Sequence, residues 1–251
     1  MSSNIICGDC ISVMKEMPSG SVDCVMTSPP YNMTKRKGGN ADTGKYDVYV
    51  DWKDEEEYLS WSADIFNAID NVLVQNGVVA YNFSYSIENP SLPYKLVAYI
   101  ENNTDFVLVD TIVWKKKSGL PFPANEKRLS RLWEYVFVFA RASEIDTFNI
   151  YKGISSVGSN GQKYYNVVYN YIEAKNNNGK TPFNQATFST ELVDFVLSLY
   201  AKAGDTILDP FNGTGTTGVS CVGNKMDYVG IELSEKQCEY SRERIEGFVR
   251  A

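Results

Sequence analysis

The sequence predicts an α/β protein built on a doubly wound, mostly parallel, Rossmann-like sheet, and three observations lead there. Apolar runs of strand length alternate along the chain with stretches whose apolar residues recur at helical spacing, the pattern of parallel strands joined by crossover helices. Two of the strand runs end in sharp turns, Thr27-Ser28-Pro29-Pro30-Tyr31-Asn32 and Asp209-Pro210-Phe211-Asn212-Gly213-Thr214-Gly215. A doubly wound sheet binds ligands where its strand order reverses, so the strands ending at Thr27 and Asp209 are expected to be central neighbours despite their distance in sequence. Finally, 251 residues with 43% hydrophobic and 22% charged side chains make one full core, and residues 1–251 are read as a single domain.

Taken in order, a short strand at Ile5-Ile6 runs into Gly8-Asp9-Cys10 and a helix that stops before Pro18-Ser19-Gly20, with Asp9 suited to cap it. Cys7-Gly8-Asp9-Cys10 has the spacing of a metal or redox pair. With no second close pair and no histidine in the chain, a strand end turning into a helix is the favoured reading, and no metal is expected. Val22 to Met26 is the next strand. From Met33 to Val50 no period is visible, so the chain there is read as a long loop serving as a flap over the site it leaves. Tyr58, Trp61, Ile65, Ile69 and Val72 share one face of a core helix that Asn76-Gly77 stops, and Val78 to Phe83 follows as a buried parallel strand. Ser91 and Pro93 open a helix through Asn103, and Phe106 to Trp114 is a long strand.

The prolines of Ser118-Gly119-Leu120-Pro121-Phe122-Pro123 make that stretch a loop, and Leu132 to Phe139 is a strongly apolar strand. Residues 141–183 offer little core, and tyrosines lie there among glycines and asparagines. A helix with Leu192, Val196 and Leu199 on one face precedes the strand Ile207-Leu208-Asp209 and its glycine turn. The strand Asp227 to Glu232 follows, then a last helix opened by Ser234 with Gln237 as a capping box.

Gly213, Gly215 and Gly218 let the backbone approach a ligand closely, and the helix that follows aims its free N–H groups at it. The turn lacks the Lys-Ser/Thr ending of a phosphate-binding loop and the third glycine of the dinucleotide fingerprint, so its ligand carries little or no phosphate. Glu232, at the end of the next strand, can accept both hydroxyls of a ribose. A nucleoside without phosphate points to S-adenosylmethionine. A simple tight connection would leave the same glycine pattern, so a second motif has to decide.

Thr27 to Asn32 is that motif. With Asp209 to Gly215 it resembles the signature pair of the permuted, or beta-class, S-adenosylmethionine-dependent DNA amino-methyltransferases, in which the target motif comes first and the cofactor motif late. The resemblance runs from Gly8-Asp9-Cys10 to Glu232. It implies a methyltransferase fold with circularly permuted motif order, and a cofactor site of Asp9, Cys10, Asp209, Pro210, Phe211, Gly213, Gly215, Glu232, Ala186 and Phe188, with Asp9 at the adenine. Residues 141–183 occupy the place of the target-recognition segment, for which a surface β-excursion is the other reading. The chain departs from the family at Trp133, where a His-Glu pair is usual, and in Asn184-Gln185-Ala186-Thr187-Phe188-Ser189, where a His-Pro-Ala-x-Phe-Pro-like run folds over the methionine part of the cofactor.

The net charge of −7 opposes nucleic-acid binding unless basic residues cluster. They do so in Lys35-Arg36-Lys37, Lys115-Lys116-Lys117 and Lys127-Arg128 with Arg131, all expected in loops and together able to line one DNA cleft. Five cysteines suit reduced thiols and a cytoplasmic protein, and no apolar run approaches a membrane span. The resemblance adds DNA as substrate, restriction-modification with a cognate restriction endonuclease as context, and a homodimer.

Methyl transfer from a sulfonium is an in-line displacement, and an exocyclic base amine is a poor nucleophile because its lone pair is delocalised into the ring. Ser28 Oγ and the Pro29 carbonyl would hold its N–H groups and aim the lone pair at the methyl group, Pro30 stiffens the turn, and Tyr31 offers a stacking face to an extruded base. Attack at cytosine carbon-5 would need a Pro-Cys nucleophile, which the chain lacks. In the family serine at the first motif position goes more often with cytosine N4, so that target is favoured, with adenine N6 as the alternative. An RNA methyltransferase and a cofactor-binding regulator without catalysis are the further alternatives.

Overall fold

A computed structural model describes residues 2–32, 54–84, 89–120, 127, 129–177 and 188–250. In chain order it contains β1 (Ser3–Cys7), α1 (Cys10–Glu16), β2 (Val22–Thr27), α2 (Glu55–Val72), β3 (Leu73–Phe83), α3 (Leu92–Asn103), β4 (Phe106–Leu120) and β5 (Arg131–Arg141). After a 3-10 turn at Ala142–Glu144 come β6 (Ile154–Val157), β7 (Lys163–Tyr165), β8 (Tyr171–Ala174), α4 (Thr190–Tyr200), β9 (Thr206–Asp209), α5 (Thr216–Gly223), β10 (Asp227–Glu232) and α6 (Glu235–Arg250). None of the described helices is long and apolar enough to cross a membrane.

Eight strands form one sheet in the order β1-β10-β9-β2-β3-β5-β4-β8. Its pairs are parallel except those that β5 makes with β3 and β4, so β5 runs against the rest. The sheet is covered on both faces, which is why its central strands are continuously apolar. Val25, Val79, Tyr81, Phe137 and Phe139 point into a core closed by α1, α2 and α3, and Cys24, Met26, Val78, Ala80 and Val138 point into one closed by α4, α5 and α6. The expected central pairing is observed: Cys24 lies against Ile207 and Val25 against Leu208. The chain leaves β9 through α5 toward one edge and β2 through α2 toward the other, which puts the reversal of strand order between Thr27 and Asp209.

Four expectations need correction. Asn76-Gly77 does not stop α2, which ends at Val72; Asn76 instead adopts a left-handed φ of 62° where β3 shifts register against β2. Lys115 to Leu120 belongs to β4 and not to a loop. The extra length is held by pairing on both sides, with Lys115 opposite Trp133 of β5 and Glu173 of β8, and Leu120 opposite Arg131. Arg131 likewise opens strand β5. The capping box of α6 is half present: Gln237 N donates to Ser234 Oγ at 3.4 Å, while the Ser234 amide donates to Glu232 Oε1 at 2.9 Å. Of residues 141–183, the described part makes the small antiparallel sheet of β6 and β7 and the edge strand β8, with Tyr164, Tyr165, Tyr169 and Tyr171 exposed. The loop expected from Met33 to Val50 lies outside the described residues.

Candidate active site

The carboxyl ends of β1, β10, β9 and β2 lie side by side, and each carries one of the polar groups singled out above. After β9 the chain turns through Gly213 (φ 52°) and Gly215 (φ 79°), left-handed conformations that favour glycine. Gly215 caps α5, and a Cβ there would lie 2.9 Å from that of Ser241. Asn212 stitches the turn to its surroundings: its amide donates to Gly213 O at 2.9 Å and to Ser241 Oγ at 3.0 Å, and its Oδ1 accepts from Tyr228 OH at 2.8 Å. Gly230 has room for no side chain because Asn212 Oδ1 would lie 2.5 Å from its Cβ.

Asp209 is buried beneath this turn. One carboxylate oxygen accepts from Thr27 Oγ1 at 2.6 Å and Phe211 N at 3.0 Å, and the other accepts from Thr217 Oγ1 at 2.7 Å. It thus ties the end of β2, the turn and α5 together. Burial pushes its pKa from the ordinary 3.8 up to about 6, against the lowering effect of the three hydrogen bonds. Because this lies above the unfolded value, the native state keeps a proton that the unfolded chain has lost over that window. Stability from this group is therefore gained as pH falls toward 3.8 and lost as pH rises through about 6. Urea unfolding of the wild type and Asp209→Asn should show the wild type gaining on the variant between pH 7 and 5, by at most about 1.4 kcal/mol per pH unit below the folded pKa. Parallel pH dependences would refute this.

Glu232 ends β10 beside the same turn, its Oε2 accepting from Gly213 N at 2.8 Å and its Oε1 from Ser234 N. Gly8 N donates to the Glu232 carbonyl, which brings the Asp9 turn alongside. Asp9 caps α1 through Ser12 N and Ser12 Oγ, at 2.9 and 2.8 Å. Cys10 packs into the core, and burial pushes its thiol up to about 12. Phe211 meets Trp61 with ring centroids 5.7 Å apart; Trp61, expected wholly in the core, is half-buried and stands beside the turn. Phe188 is buried with α4, and Ala186 lies outside the described residues. Glu232 lies on the backbone of the glycine turn and the Asp9 turn is brought alongside, and no Lys-Ser/Thr ending is present to hold a phosphate, so the residues suit a sulfonium nucleoside whose ribose needs a carboxylate acceptor.

Across Thr27 the second turn begins. Pro29 and Pro30 are buried, and Tyr58 OH donates to Pro30 O at 2.6 Å. Ser28 and Tyr31 are half-buried with Ser28 Oγ 2.9 Å from Tyr31 OH. The Tyr31 hydroxyl also lies 2.8 Å from Asn82 Oδ1 and 3.1 Å from Glu134 Oε2, and its ring rests against Phe83 with centroids 5.0 Å apart. Asn82 is oriented by its own bond to Tyr135 O. Neither Asn82 nor Glu134 was among the expected site residues. A signal existed for each: a polar side chain at the end of an apolar strand, and one charge within the apolar run Trp133 to Phe139.

The basic residues are only partly brought together. Lys115 pairs with Glu173 at 2.7 Å, Lys117 with Glu191 at 3.8 Å, and Lys116 with Glu134. The Lys115 and Lys117 pairs are exposed and worth only about 0.2–1 kcal/mol each, so a phosphate could replace them, whereas the Lys116–Glu134 pair is mostly enclosed. Lys127 is exposed, Arg131 is half-buried, and Lys35, Arg36, Lys37 and Arg128 lie outside the described residues.

The profile of a family described as DNA methylase matches residues 22–243. The Type II methyltransferase M.Cfr9I of Citrobacter freundii is 27% identical over an alignment covering 96% of this chain and 86% of that protein. M.HinfI of Haemophilus influenzae is 26% identical, with 97% and 68% covered. Among solved structures, PvuII DNA methyltransferase, described as cytosine-N4-specific, superposes with a TM-score of 0.72 at 18% identity, covering 100% of this chain and 92% of that one. M1.HpyAVI in its complex with SAM gives 0.61 at 20% identity, with 97% and 99% covered. At these identities the two structures speak for the fold alone.

Proposed function

This chain belongs to the N6/N4 DNA methylase family, and we propose that within it the protein methylates the N4 amine of cytosine in DNA. S-adenosylmethionine supplies the electrophilic methyl group. The observation that carries the reading is the position of Ser28: a half-buried hydroxyl at the head of the Pro-Pro turn, tied to the cofactor turn through the neighbouring Thr27–Asp209 bond. The residues divide the work between the two turns. Glu232 and Asp9 hold the ribose and adenine, and Gly213 and Gly215 let the backbone approach. Ser28 Oγ and the Pro29 carbonyl accept the two N–H groups of an extruded base, which aims the nitrogen lone pair out of the ring plane.

Cytosine is preferred over adenine on Ser28, the side chain that meets the amine. The tyrosine-rich hairpin of β6 and β7 supports a role in base recognition, since exposed aromatic rings among small polar residues suit stacking and adaptable hydrogen bonds. The assignment is tested by methylating unmodified DNA with labelled cofactor, digesting it and identifying the modified nucleoside by mass spectrometry. N4-methylcytosine is expected. N6-methyladenine alone would move the target base, label in RNA alone would move the substrate, and cofactor binding without transfer would favour the regulator.

A further inference from the structure

We propose that Glu134 is a positioning residue for the methyl transfer: through Tyr31 it orients the Ser28 hydroxyl, and along the same chain it receives the proton the target amine loses. This rests on the reading of the protein as an amino-methyltransferase. Glu134 sits in the apolar stretch of β5 with its side chain 12% exposed, and Lys116, 20% exposed, holds its Oε1. Enclosing such a pair costs solvation that a surface pair would keep, so its place calls for a reason beyond stability. The antiparallel course of β5 brings its N-terminal end to the carboxyl end of β3, where Tyr135 faces Phe83, and so delivers the neighbouring Glu134 to Tyr31.

Counting protons gives the network a direction. Asn82 Oδ1 and the Glu134 carboxylate can only accept; the carboxylate is the stronger acceptor and takes the single proton of Tyr31, whose oxygen then accepts from Ser28. The Ser28 proton then points inward and its lone pairs face the base. A neutral serine thereby becomes a committed acceptor for the amine. On transfer the amine nitrogen gains the methyl group while the donor sulfur keeps the electrons of the broken bond. The nitrogen next loses a proton to Ser28 Oγ, Ser28 passes its own to Tyr31, and Tyr31 passes its own to Glu134. One proton moves from nitrogen to carboxylate, and both hydroxyls end neutral.

The test compares wild type, Glu134→Gln, Tyr31→Phe and the double variant in single-turnover methylation across pH, with cofactor affinity by calorimetry and thermal melting alongside. Glutamine keeps an acceptor for Tyr31 but takes no proton. Glu134→Gln should lower the rate roughly 10- to 100-fold, with cofactor affinity and KM for DNA unchanged. The pH profile of the wild type should change in the variant; the partners of Glu134 seen among the described residues, Lys116 and Tyr31, both remain. Tyr31→Phe should cost at least as much, and the double variant no more than Tyr31→Phe alone. A Glu134→Gln enzyme with wild-type rate and pH profile, or additive losses, would overturn the inference while leaving the methyltransferase reading intact. A merely structural pair would lower the melting temperature and leave the pH profile unchanged, which also overturns it. A wild type that binds cofactor but methylates no DNA would take both readings down together.

Discussion

Ser28→Ala is expected to slow single-turnover DNA methylation by about 10- to 1,000-fold, the range for removing one acceptor or donor realised in the transition state, while cofactor affinity stays at the wild-type value. The separation of the two effects follows from the geometry. Ser28 Oγ bonds to Tyr31 OH at 2.9 Å, whereas the link to the glycine turn runs through Thr27 and Asp209. Alanine removes the acceptor that would hold the amine and leaves that link in place. The Pro29 carbonyl remains, so some lone-pair alignment survives and the loss is partial. Unchanged turnover with tight cofactor binding would remove Ser28 from the reaction. A lost cofactor site would instead mean that the turn had collapsed, which near-ultraviolet circular dichroism would reveal.

Glu232→Ala should weaken cofactor binding by about 1–3 kcal/mol, the cost of leaving polar partners without a charged acceptor, and calorimetry reads this directly. Two contributions combine here. The carboxylate that would hold the ribose hydroxyls also holds Gly213 N at 2.8 Å and Ser234 N at 2.9 Å. Truncation therefore removes a ligand contact and releases the left-handed Gly213 from one of its restraints. Glu232→Gln keeps one acceptor oxygen and should fall between wild type and alanine. An unaltered dissociation constant in the alanine variant would take Glu232 out of the cofactor site.

Much of the arrangement is local enough to be read along the chain. The Asp9 cap of α1, the proline-opened start of α3 and the glycines at 213 and 215 each answer to interactions within a few residues. Even the pairing of β2 with β9 could be expected, because the rule that ligands sit at a reversal of strand order turns two motifs into neighbours. The three lysines at 115–117 were misplaced for the opposite reason. Their own preferences and the prolines that follow speak for a loop, and it is pairing with β5 and β8 that makes them strand and supplies Glu134 and Glu173 as partners.

What the sequence determined by itself is the alternation of strands and helices, the glycine turn after β9 and the Ser-Pro-Pro-Tyr turn, since periodicity, glycine and proline act over short spans of chain. Only the tertiary structure decided that Asp209 is a buried strut, and that Asn82 and Glu134 close around Tyr31. Those contacts span 182, 51 and 103 residues of chain. The first two come from the parallel pairing of β2 with β9 and with β3, and the third from β5 inserted antiparallel beside β3, an arrangement made by the packing of both sheet faces at once and carried by no single stretch of residues.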